Sequence, residues 1–272
     1  MVIGLVTDST AELPAEIVAR FGIEVVPATV CIDEGEYLEG VDLDADGFYA
    51  RLAAEPRVSL GASEPSPGQF ALAYDALVER GCSHILSIHG TTMVSGIVNA
   101  ARLGSRCVPV PVRVVDVGTA GFALGGCVWS AAEAIAAGAC LDVATAAAEE
   151  AAAGLLSIFV VGSGCRLSID GGHDGGSVPV LGLEGGEVRV VELVPTMVDA
   201  INAMSSRIVR AGERLRVGVG TADQSVAPIT AALRAAVREA GNVVEVVDYR
   251  VCPSVGSHTG PGTVACVAIP LA

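Results

Sequence analysis

Lysine is missing from this 272-residue sequence: its 16 cations are all arginine, set against 31 aspartates and glutamates for a net charge of −15. Without lysine there is no amine for a Schiff base and no phosphate-loop lysine. The acidic balance also counts against nucleic acid, because neutralising phosphates takes clustered cations. Solubility is the plain reading of the acidity, and docking of a basic partner the sharper one. Eight cysteines are present, but no two lie closer than Cys127 and Cys140, so there is no C-x-x-C. That excludes zinc-ribbon, ferredoxin and thioredoxin signatures, and no metal is implied. Also absent are H-E-x-x-H and the G-x-S-x-G elbow of hydrolases. Gly218-Val219-Gly220 lacks the third glycine of a dinucleotide fingerprint.

Long apolar runs are missing too. Hydrophobic residues make up 51% of the chain, yet no stretch approaches the ~20 uninterrupted apolar residues of a membrane span. The nearest, 128–153, carries Glu133, Asp142, Glu149 and Glu150 and reads as amphipathic helices. Residues 1–7 have no basic segment and enter a strand directly, unlike a signal peptide. The expectation is a cytoplasmic protein with reduced thiols and no membrane insertion.

Strand and helix patterns alternate through the first half. Strands are predicted at 2–7, 23–32, 84–88 and 112–115. Helices are predicted from Pro14 and at 48–54, 69–80, 95–104, 122–137 and 141–153, with a turn at 33–37 and a loop at 55–67. Such alternation implies a mostly parallel sheet covered on both faces. The second half differs. A strand at 157–161 and a loop at 162–177 precede a hairpin, 178–183 and 187–193, turned at Glu184-Gly185-Gly186. Helices at 197–210 and 226–240 then alternate with strands at 215–219, 243–249 and 264–269. The fold class is therefore α/β: an N-terminal doubly wound parallel-sheet domain, 1–153, and a smaller α+β C-terminal domain with a hairpin, 154–272, with a ligand site expected at their interface.

Ligands of doubly wound sheets bind at the carboxyl ends of the strands. There the chain offers Asp8-Ser9-Thr10, Ser63-Glu64-Pro65-Ser66-Pro67, Thr91-Thr92-Met93-Val94-Ser95-Gly96 and Asp116. A hydroxyl before a helix is most often an N-cap, but several together with helix amides make a neutral anion cradle. The C-terminal run Gly256-Ser257-His258-Thr259-Gly260-Pro261-Gly262 reads as a bent loop between strands that presents an imidazole and hydroxyls. His84 and His89 flank a strand and read as core or edge residues, and His173, between glycine pairs, as exposed.

These motifs together resemble the DegV family of bacterial fatty-acid-binding proteins. Val6-Thr7-Asp8-Ser9-Thr10 resembles its opening, and Ser63-Glu64-Pro65-Ser66-Pro67 its Thr-Ser-x-Pro-Ser loop. Ser95-Gly96 is similar to its Leu-Ser-Gly-Thr turn, and Val115-Asp116 to its Val-x-Asp strand end. Ser257 to Gly262 matches its His-Thr-Gly-Pro-Gly element closely. The matches run in family order from residue 6 to residue 262.

The resemblance implies a carrier without catalytic residues or cofactors. A long-chain fatty acid would lie in an apolar tunnel, its carboxylate on Ser63, Ser95 and His258. Asp8, Ser9, Thr92 and Thr259 are further candidates nearby. Such proteins present the acid to a separate ATP-dependent fatty acid kinase, which makes the acyl phosphate for phospholipid synthesis. Three positions depart from the pattern: Ala62 stands where the family has Thr, Pro195 where an arginine is expected, and 162–177 lacks a recognisable Gly-Gly-Arg-Ile stretch. Two alternatives follow from the residues. One is a hydrolase or acyl transferase with His258 as base and Ser95 or Ser257 as nucleophile; the other is a diverged binder of a small anion.

Overall fold

The apolar run near the N-terminus forms β1 (Ile3–Asp8), whose last five residues are all buried. This computed structural model describes residues 1–55, 57–90, 96–162, 165–167 and 176–271. After β1 the chain makes a tight turn capped by Asp8, then α1 (Ala15–Phe21) and β2 (Glu24–Val26). The single strand expected at 23–32 is two strands, because Pro27 has no amide to continue the ladder. Past it, β3 (Thr29–Ile32) belongs to a different sheet and turns through Asp33, at φ 53°, into β4 (Gly35–Leu38). Next comes α2 (Ala45–Ala54), capped by Asp44, whose side chain accepts the Gly47 amide.

The expected loop at 55–67 contains a further strand, β5 (Leu60–Ser63), antiparallel to β3 with Thr29 opposite Ser63. Short and low in bulky residues, it carries little strand signal of its own. Ser66 and Gln69 then form a reciprocal capping box, and Pro67 opens α3 (Pro67–Glu79). The first unit continues through β6 (His84–His89), α4 (Ile97–Gly104), β7 (Val112–Asp116), α5 (Phe122–Ala136) and α6 (Leu141–Gly154). Its main sheet is wholly parallel, in the order β2-β1-β6-β7.

Helices α3 and α4 pack on one face of that sheet, where Val6, Phe70, Tyr74, Leu77, Ile85 and Val98 form the core. Strand alternation turns Leu5, Leu86 and Ile88 the other way, and α5 lies against β1 and β6. Each large apolar side chain buried this way contributes roughly 1.5–3 kcal/mol.

In the second half β8 (Leu156–Val160) precedes the hairpin of β9 (Val178–Glu184) and β10 (Glu187–Val194), which turns at Gly185 and Gly186. There follow α7 (Met197–Ile208), β11 (Leu215–Thr221), α8 (Ala227–Arg238) and β12 (Val243–Arg250), then α9 (Pro253–Thr259) and β13 (Val264–Pro270). The sheet runs β10-β9-β8-β13-β11-β12, and only β11 and β12 pair parallel. Helix α7 packs with α8, and Met204, Ile208 and Leu233 join Ile158, Val217 and Cys266 of the sheet in one core. The chain is thus mixed α/β, with one parallel sheet and a separate mixed sheet that includes the hairpin.

Two compact units result: Met1–Leu43 with Ser59–Ala153, and Asp44–Val58 with Gly154–Ala272. The sequence drew one boundary at 153 and left 44–58 in the first domain. In the structure α2 goes with the second unit, where Phe48 and Tyr49 lie against Gly256 and Asp46 pairs with Arg250 at 2.7 Å. Among the described residues no helix is long and apolar enough to cross a membrane.

Candidate functional site

The carboxyl end of the parallel sheet holds a buried polar chain. Asp8, on the last position of β1, is wholly buried, and its Oδ2 lies 2.7 Å from His89 Nδ1 at the end of β6. His89 Nε2 lies 2.7 Å from Ser87 Oγ, which lies 2.9 Å from the hydroxyl of Tyr74 on α3. The Phe70 ring closes over His89 edge-on. Asp8 Oδ1 takes the Thr10 hydroxyl and, at 3.2 Å, the Thr10 amide. Burial pushes the Tyr74 phenol up to about 12, against a smaller lowering by its bond to Ser87. The order Ser87-His89-Asp8 is that of a charge-relay triad, and all three side chains are sealed from solvent, where the chain ties the strand ends together.

The residues expected in the site fall differently. Ser9 accepts the Ala28 amide at 2.9 Å, tying β1 to the start of β3. Ser63 is exposed at the end of β5, beside the exposed Ala62. Glu64, the next residue, accepts the amide of Gly96 at 3.0 Å. The strand end carrying Ser63 is thereby joined to the start of α4, directly after Ser95 in the sequence. Thr92 and Ser95 lie outside the described residues, as does His173. Asp116 Oδ1 accepts the Gly118 amide at 2.9 Å and so shapes the turn after β7.

In the second unit the C-terminal run is not the loop the sequence suggested. Residues 253–259 are helical, because Pro253 suits a first helical position and the chain can wind on from it. His258 is exposed on the last turn. Thr259 is buried, its hydroxyl donating to the Val255 carbonyl at 3.3 Å. Ser257 is buried as well and donates to the Ser254 carbonyl at 2.7 Å, so one of the two nucleophiles of the hydrolase reading is directed into its own helix. The bend after the helix uses Gly260 and Gly262, at φ 80° and 81°, where a side chain would be strained.

Asp223 holds that bend. Its Oδ2 accepts the Gly262 amide at 2.6 Å and its Oδ1 the Ser225 amide at 2.7 Å. Burial alone would raise this carboxyl. The bonds from Ser225 and Gly262 and the charge of Arg250 outweigh it and hold the group below the usual carboxylate range. Gly162, just past β8, packs so closely that a Cβ there would meet the Pro261 carbonyl at 2.1 Å.

Arg166 was missed by the sequence reading. Its amide donates to the His258 carbonyl at 2.8 Å, which binds residues 165–167 to the end of α9. The available signal was its isolation, since Arg166 is the only arginine between Val161 and Glu184. Pro195, where an arginine was expected, is an exposed residue between β10 and α7. Among the described residues no cluster of His, Cys, Asp or Glu is arranged to hold a metal ion.

This chain is similar to known proteins along most of its length. The model of the DegV family, described as uncharacterised proteins, matches residues 2–168. A DegV domain-containing protein of Streptomyces coelicolor is 35% identical over 280 aligned positions, covering 97% of each chain. Among solved structures, one described as showing fatty acid binding of a DegV family protein from Thermus thermophilus superposes with a TM-score of 0.85. It is 27% identical and covers the whole of both chains. A structure described as DegV, a fatty acid binding protein from Bacillus subtilis, gives a TM-score of 0.86 at 22% identity over 99% of each chain and supports the fold.

Proposed function

This chain belongs to the DegV family, and from that premise we propose that it is a carrier that binds one long-chain fatty acid. The likeness to the Thermus thermophilus protein supports the ligand class. The observation that carries the reading to particular residues is the hydrogen bond from the Gly96 amide to Glu64, which ties the chain just after Ser63 of β5 to the start of α4. Ser63, Ser95 and His258 are the proposed donors to the carboxylate. Arg166 is bonded through its amide to the His258 carbonyl.

The energetics suit such a ligand. A carboxylate leaving water needs several hydrogen-bond donors, while each buried CH₂ of the acyl chain contributes about 0.8 kcal/mol in an apolar tunnel. The proposal assigns the protein no chemistry of its own. Ser257 donates into its own helix, and the Ser87-His89-Asp8 order is sealed, which supports a carrier over a hydrolase with Ser257 as nucleophile. The family resemblance extends the role to presenting the acid to a separate ATP-dependent fatty acid kinase. The test is extraction of purified, undelipidated protein followed by mass spectrometry. A single class of long-chain acid, near one per chain, is expected. Turnover of acyl esters that is lost in His258→Ala would instead support the enzyme, and binding of small anions alone would support the diverged binder.

A further inference from the structure

Glu64 and Gly96 are 32 residues apart in sequence yet share a hydrogen bond of 3.0 Å, from the Gly96 amide to Glu64 Oε1. Glu64 follows Ser63, the last residue of β5, and Gly96 immediately precedes α4. Gly96 has no side chain with which to cap that helix, and the first amides of a helix have no partner within it. The Glu64 carboxylate therefore takes the amide of the N-cap residue itself, as the third-position Glu of a capping box does, and places negative charge at the positive end of α4. An ordinary cap is local, whereas this one comes from another strand and fixes two distant stretches of chain against each other. The fit is close, for a Cβ on residue 96 would lie 2.6 Å from Oε1.

We propose that Glu64 is a positioning residue for the head-group site, holding the Ser63 end of β5 against the start of α4. This rests on the carboxylate-binding reading above. Glu64 acts here as an acceptor, so glutamine, whose amide oxygen takes the same bond, substitutes for it. Alanine does not. A methyl on residue 96 reaches the same end by another route: the backbone at φ −85° admits alanine, but the new Cβ displaces the carboxylate.

The experiment is calorimetric titration of the delipidated full chain with oleate. Glu64→Gln is expected to keep the wild-type affinity within about twofold, while Glu64→Ala weakens it about five- to tenfold, the worth of one helix cap. Gly96→Ala should weaken binding similarly, and the double variant no further, because both remove one contact. A drop in Tm of no more than about 3 °C separates this from unfolding. The inference is overturned if wild type binds oleate and Glu64→Ala binds it equally well, or if Glu64→Gln loses as much as Glu64→Ala. A wild type that binds no oleate overturns the functional reading itself, and with it the role given to Glu64.

Discussion

Asp8 and His89 meet at 2.7 Å with both side chains wholly buried, at the ends of adjacent parallel strands. With the histidine proton on Nδ1, His89 donates to Asp8 and accepts from Ser87, which accepts from Tyr74. Removing one member of such a chain leaves its partner buried and unsatisfied. Asp8→Ala is therefore expected to cost about 1–3 kcal/mol in urea unfolding. A loss below about 1 kcal/mol, the size of an ordinary surface change, would show that the chain is not a structural anchor.

Asp223 makes the bend after α9 sensitive to acid. Its carboxyl is held below the usual range, so its contribution is present above about pH 4 and lost as pH falls through the folded value. Asp223→Asn is expected to lower stability by about 1 kcal/mol at neutral pH. The gap to wild type should narrow as pH drops below about 4. A gap that stays constant down to the onset of acid unfolding would contradict this account.

How much of this was legible in the sequence depended on whether the signal was local. The parallel sheet followed from periodicity, and the hairpin from Glu184-Gly185-Gly186, because those patterns are written within a few residues. The strand β5 is not legible locally, since Gly61, Ala62 and Ser63 carry no β signal and pair only because β3 lies alongside. Helix α9 is hidden in the same way, because Gly256, Gly260 and Gly262 signal a bend while the helix starts upstream at Pro253. The hydroxyls were visible as candidates. That Thr259 and Ser257 bond to their own helix while Ser63 remains exposed depends on packing that no spacing rule supplies.

The attachment of α2 to the second unit turns on Gly256. A Cβ there would meet the Tyr49 hydroxyl oxygen at 2.3 Å and Phe48 at 3.1 Å. Gly256→Ala gains about 1 kcal/mol of helix propensity but overpacks this contact at a cost of about 1–3 kcal/mol. A net loss of about 1 kcal/mol is expected in denaturant unfolding, relieved in part by Tyr49→Phe, which removes the nearest atom. A stabilised Gly256→Ala variant would mean that Tyr49 does not sit against the helix.

The central claim is that this chain recognises a fatty acid by its carboxylate. It is tested most directly by titrating delipidated protein with oleate and, in parallel, with methyl oleate, which has the same chain and no charge. Saturable binding of about one oleate per chain is expected, with the ester at least tenfold weaker, since donors built for a carboxylate would be left unpaired. Equal affinity for the two, or no saturable binding of oleate, would contradict the account.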